Sequence, residues 1–148
     1  MPTYTCQAAT GLLDQSRRAA VARAITMAHA EVTGAPAYFA QVLFQEIPQG
    51  CHFVGGEPLG HDHLFVHGRI RAGRPPELRR ELIRRLVVDV ATSAGLAPFG
   101  VWVYLLELPA GAMAEFGRIL PEPGGEGAWA ASFPDEERDR MMRLGREG

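Results

Sequence analysis

Pro2 stands directly behind the initiator methionine, at the head of MPTYTCQ, and all 15 Lys and Arg positions of the chain are arginine. With no lysine, the amine at the amino terminus is the one amine available for chemistry. Methionine is removed efficiently before a small second residue such as proline, and removal would expose a prolyl secondary amine. A free α-amine titrates at roughly 7.7–8.0, and a secondary amine is more basic. Burial would lower that pKa and make the group a base, while neighbouring carboxylates would raise it and make it an acid. Met-Pro also opens many proteins that do no such chemistry, so Pro2 alone decides nothing.

Other side chains could join it. His29 borders the apolar stripe of a predicted helix, four residues after Ile25. Arg71 and Arg74 flank a turn in GRIRAGRPPE, at a helix N-terminus, where two guanidinium groups suit a carboxylate. Tyr104 lies in the apolar run VWVYLLEL and its hydroxyl needs a partner. Glu115 is an acid within the apolar segment MAEFG. Each has an ordinary alternative when taken singly: a hydrogen-bonded core histidine, solvated loop arginines, a core aromatic, a surface carboxylate. His61, His63 and His67 invite a metal, but no fourth ligand stands at a standard spacing, so no metal is assigned.

Composition narrows the function classes. Hydrophobic residues make up 47% and charged residues 22%, ordinary for a globular protein. A net charge of -2 carries no nucleic-acid footprint, and no apolar run approaches a membrane span. The start lacks the basic and apolar regions of a signal peptide, so the expected location is cytoplasmic. Cys6 and Cys51 read as reduced thiols.

The elements that must position these residues form a unit written twice. Pro2 to Ala8 reads as a strand, Asp14 to Thr33 as a helix capped by Asp14 and stopped by Gly34, and Tyr38 to Ile47 as a second strand. Leu64 to Ile70, a helix opened by Pro75 and Pro76 and ended by Gly95, and Val101 to Leu108 repeat the order. The last strand, apolar throughout, is expected to be buried on both faces. Glu46-Ile47-Pro48-Gln49-Gly50 reappears as Glu107-Leu108-Pro109-Ala110-Gly111, an offset of 61, and Thr33-Gly34 maps on Ala94-Gly95 by the same offset. One domain over residues 1–148 is expected, with a pseudo-repeat of 2–50 and 63–111 and a C-terminal segment of 112–148. Its class is α+β: two tandem β-α-β units forming a four-stranded sheet with both helices on one face. The other face then needs cover, which predicts a homo-oligomer. Beyond Pro109 the expectation is a short helix over Met113 to Ile119, a loop at PEPGGEG and a surface helix or frayed end in DEERDRMMRLGREG.

Taken together, MPTYT, AITMAH, FAQVLFQEIPQG, FVHGRIRAGR, VWVYLLELPAG and MAEFGRILPEPG resemble the tautomerase superfamily, and within it the cis-3-chloroacrylic acid dehalogenase family. The resemblance covers nearly the whole chain. It implies the tautomerase fold, a homotrimer and no cofactor. It implies Pro2, His29, Tyr104 and Glu115 as catalytic residues, with Arg71, Arg74 and His29 binding a small carboxylate substrate. The implied reaction adds water to an unsaturated acid: dehalogenation of cis-3-haloacrylate or hydration of an alkyne acid, giving malonate semialdehyde. Ala35, Pro36, Ala37 and Phe39 depart from the dehalogenase pattern in a loop expected over the substrate. A keto–enol tautomerase acting on 2-oxo acids such as phenylenolpyruvate, with neutral Pro2 as base, therefore stays open. So does a non-enzymatic interaction protein on the same scaffold.

Overall fold

Asp14 opens the first helix by accepting a hydrogen bond from Arg17 N at 2.8 Å, and Gly34 closes it at φ 72°. Gly95 closes the second helix in the same left-handed conformation, φ 71°, 61 residues later. These signals bound two helices of 19 residues in a computed structural model that describes residues 2–144. In chain order the elements are β1 (Thr3–Ala9), α1 (Gln15–Thr33), β2 (Gln41–Ile47), β3 (Phe53–Val54), β4 (Glu57–Pro58), β5 (Leu64–Arg71), α2 (Pro76–Ala94), β6 (Val101–Leu108), β7 (Ala114–Glu115), β8 (Arg118–Ile119), α3 (Glu126–Ala131) and α4 (Asp135–Arg143). The architecture is the α+β arrangement the spacing predicted.

The main sheet has the order β2-β1-β5-β6. Each half pairs its own two strands in parallel, β1 with β2 and β5 with β6, and the halves meet through antiparallel β1 and β5. One face of the sheet presents Tyr4, Cys6, Leu64, Val66 and Ile70 to Val21, Ile25, Leu82, Leu86 and Val90 of the helices, and this is the core. An ion pair clips each helix to the outer strand of its half. Arg18 meets Glu46 at 2.5 Å in the first, and Arg79 meets Glu107 in the second. These two pairs are also related by 61 positions, so the repeat extends from elements to single contacts. No helix among the described residues is long and apolar enough to cross a membrane.

Several expectations need correction. The second strand begins at Gln41, because Ala37–Phe39 form a 3-10 turn behind Pro36. β6 is covered on one face only: Trp102, Tyr104 and Leu106 project to the helix-free side and are exposed. A continuous apolar run thus marks two different faces here, one packed within the chain and one open. The segment expected as a helix over 113–119 is the β7–β8 hairpin, reversed at Phe116 (φ 50°) and Gly117 (φ 78°). Two consecutive residues at positive φ make a tight turn that helix periodicity cannot reveal. The β3–β4 hairpin was not foreseen either, although its Gly55-Gly56 turn is a recognisable hairpin signal. PEPGGEG turns as expected, but its final Glu126-Gly127 already belong to α3. The acidic tail forms α4 and buries Met141, and its last four residues lie outside the described residues.

Candidate active site

Pro2 is buried where β1 begins, and its carbonyl accepts a hydrogen bond from Gln41 N at 3.0 Å. β1 is central in the sheet, so the head of the chain is held between β2 and β5. Pro2, His29, Arg71 and Arg74 line one narrow pocket together with Ala35, Phe39, Leu120 and Pro121. Three elements thus deliver four of the six sequence-predicted residues to one place: β1, the last turns of α1 and the β5–α2 junction.

The two arginines are not equivalent. Arg71 is 5% exposed; its Nη1 donates to Pro121 O at 2.6 Å and its Nη2 to the Glu126 carboxylate, leaving Nε buried without a partner. Burial works against the Glu126 charge, but hydrogen bonding and charge from Arg71 outweigh it and hold that carboxyl below its ordinary range. Arg74 is half-buried and donates Nη1 to Arg71 O at 3.1 Å. It enters no ion pair among the described residues. Burial and the neighbouring Arg71 charge both lower its pKa from the ordinary value. Arg74 is therefore the cation with spare hydrogen-bonding capacity for an anionic ligand.

His29 is 2% exposed. Burial, followed by the charges of Arg74 and Arg71, pushes its pKa down to about 3. The imidazole is neutral at physiological pH. Its Nδ1 lies 2.7 Å from the hydroxyl of Tyr4, and its Nε2 is buried without a partner.

Glu115 and Tyr104 do not line this pocket. Glu115, at the β7–β8 turn, lines an adjoining pocket that shares Phe39 as its wall, and burial raises its carboxyl above the ordinary range. Tyr104 is 58% exposed on the helix-free face of β6, its ring against Phe65 and opposite His67 of β5.

Two residues that hold pocket side chains in place, Tyr4 on His29 and Glu126 on Arg71, were missed by sequence reasoning. Tyr4 had a usable signal: it shares the strand face of Pro2, and a tyrosine on a buried face needs a hydroxyl partner. Glu126 had none, since it reaches Arg71 from 55 positions away through a loop.

Residues 1–74 match the family described as "Putative oxalocrotonate tautomerase enzyme". No curated protein matches the chain. The crystal structure of N1, a member of the cis-3-chloroacrylic acid dehalogenase family, is 37% identical, covers 96% of this chain and 99% of its own, and has a TM-score of 0.93. A fused 4-OT solved as a symmetric trimer is 25% identical over 80% of this chain and 94% of that one, with a TM-score of 0.72. Pt0534, solved after inactivation by 2-oxo-3-pentynoate, matches with 25% identity over 80% of this chain and 94% of that one, at a TM-score of 0.72.

Proposed function

We propose a function from one premise: the chain belongs to the tautomerase superfamily, in the cis-3-chloroacrylic acid dehalogenase family. Its reaction is the addition of water to a small unsaturated carboxylate by way of Pro2 freed of Met1. The substrates are a cis-3-haloacrylate, an alkyne acid, or both, and the product is malonate semialdehyde. The observation that carries this is the convergence of Pro2, His29, Arg71 and Arg74 on one pocket.

Arg74 binds the substrate carboxylate, helped by His29 and by the unpaired Nε of Arg71. These donors draw electron density from the β-carbon and stabilise charge developing on the carboxylate side. Glu115 accepts a proton from a water that Tyr104 orients, and burial suits its carboxyl to that role by raising its pKa. The water oxygen bonds to the β-carbon while the Pro2 ammonium gives its proton to the α-carbon. With chloride on the β-carbon, the adduct expels chloride and a proton and becomes the aldehyde. With a triple bond, the adduct is an enol that ketonises to the same aldehyde.

Tyr104 faces away from the pocket of its own chain, so it serves a pocket by crossing to another copy. The protein is accordingly a homotrimer packed through its helix-free sheet faces. The symmetric trimer of the related fused 4-OT supports this.

One observation favours a second reading. Pro2 shares its pocket with Arg71 and Arg74, and like charge works against an ammonium there. A neutral Pro2 is a base, as a keto–enol tautomerase of 2-oxo acids requires. A proton NMR time course with cis-3-chloroacrylate and propiolate, run for wild type beside Pro2→Ala, tests the first reading. Malonate semialdehyde is expected from wild type, with turnover reduced by orders of magnitude in folded Pro2→Ala. Wild-type rates in Pro2→Ala would overturn the role of Pro2. Absent turnover of both acids, with rapid ketonisation of phenylenolpyruvate, would select the tautomerase.

A further inference from the structure

The hydrogen bond between Tyr4 and His29 has a chemical consequence at the pocket. Tyr4 is fully buried, and its hydroxyl lies 2.7 Å from His29 Nδ1, with the two rings edge to face at 5.9 Å. Among the described residues the hydroxyl has no second partner. The close approach depends on Gly68, opposite Tyr4 in β5, where a Cβ would stand 2.6 Å from the tyrosine ring.

The direction of this hydrogen bond fixes the tautomer of His29. Burial raises the Tyr4 pKa, so the phenol keeps its proton, and the imidazole is neutral with one N–H. If Nδ1 carried that hydrogen and donated to the phenol oxygen, the Tyr4 O–H would be left unpaired in the core, which costs about 1–3 kcal/mol. If the phenol donates to Nδ1, the hydroxyl and Nδ1 are both satisfied, the hydrogen sits on Nε2, and Nε2–H is the single group left for a ligand to pair. Nε2 is the buried ring nitrogen that lacks a partner, on a residue that lines the pocket.

We infer that Tyr4 is a positioning residue that fixes His29 as a neutral Nε2–H donor toward the pocket, so that the ligand must offer an acceptor oxygen at that point. Beside Arg74, the acceptor is one oxygen of a carboxylate; this part rests on the reading of the pocket as a carboxylate site. The donor is set by a core contact, so it does not depend on the ligand arriving first.

Long-range proton–nitrogen correlation spectra of 15N-labelled protein report the tautomer directly. From pH 5 to 8 the wild-type His29 ring is expected to show the neutral Nε2–H pattern, and Tyr4→Phe is expected to show a mixture of tautomers. In the same samples the Kd for propionate, a saturated monocarboxylate, is expected to rise about tenfold in Tyr4→Phe, the worth of one hydrogen bond. An Nδ1–H tautomer in wild type would overturn the inference, and this needs no variant to fold. Loss of stability in Tyr4→Phe with tautomer and Kd unchanged would reduce Tyr4 to packing and also overturn it. A locked Nε2–H that Tyr4→Phe releases, without propionate binding in either protein, would support the role of Tyr4 while removing the carboxylate reading.

Discussion

Arg71 and Arg74 are three positions apart, yet their surroundings give them different work. Arg71 is tied to Glu126 and to Pro121 O, so it holds the loop that roofs the pocket, while Arg74 keeps donors to spare. Removing one partner of a buried ion pair leaves the other charge uncompensated, at a cost of about 3 kcal/mol. Glu126→Ala is therefore expected to lose about that much stability, read from the urea midpoint at pH 7. Arg74→Ala should leave stability nearly unchanged and raise KM for the carboxylate by at least about tenfold, the least a lost charge-assisted hydrogen bond is worth; unchanged KM would remove Arg74 from the site. His29 makes stability depend on pH in a defined window. Unfolded, the imidazole takes up a proton near 6.5; folded, it does so near 3. Between those values the unfolded chain binds the extra proton, so stability falls as pH falls, by up to about 1.4 kcal/mol per unit from this group. Urea unfolding from pH 7 to pH 4 should show a steeper loss for wild type than for His29→Gln. Equal slopes would mean that His29 is not held neutral by the fold.

At the scale of elements, the site depends on how strands and helices are terminated and spaced. α1 has to end one turn after His29 for the chain to turn back through Pro36 and bring Phe39 over the pocket, and Gly34 ends it. Its start is set by Asp14, and Asp14→Ala should cost about 1 kcal/mol in the thermal or urea transition, with the pocket unchanged. The β1–β5 pairing is less forgiving. Gly68 sits where a Cβ would meet the Tyr4 ring at 2.6 Å and Leu105 at 2.7 Å. Gly68→Ala should cost roughly 1–3 kcal/mol by overpacking, and it should also disturb His29, because Tyr4 cannot move without breaking its 2.7 Å hydrogen bond. A change in the His29 nitrogen shifts of Gly68→Ala checks the second effect separately from stability.

At the scale of the whole molecule, the helix-free face of the sheet is the unfinished part of the single chain. Leu43, Trp102, Tyr104 and Leu106 are large, exposed and on that side. A charge there should oppose assembly without touching the core. Leu106→Glu is expected to sediment as a smaller species than wild type at micromolar concentration, and to lose turnover along with assembly as Tyr104 is withdrawn from its neighbour's pocket. A Leu106→Glu that stays assembled would remove this face from the interface, and one that dissociates yet stays fully active would separate Tyr104 from the chemistry.

The sequence by itself determined the parts that depend on near neighbours in the chain. Asp14, Gly34, Pro76 and Gly95 bound the two long helices because capping and left-handed glycine are local effects. The 61-residue echo of EIPQG in ELPAG announced two matching units, because a repeated local pattern folds into a repeated local structure. Pro2, His29, Arg71 and Arg74 could be singled out because their chemistry is a property of residue type. Tertiary structure decided what depends on distant residues meeting. It turned a supposed helix at 113–119 into a hairpin, set Glu126 against Arg71 across 55 positions, and put Tyr4 under His29. It also left Tyr104 on the opposite side of the sheet from the pocket, since alternate residues of a strand point to opposite faces and a continuous apolar run hides which face each one takes.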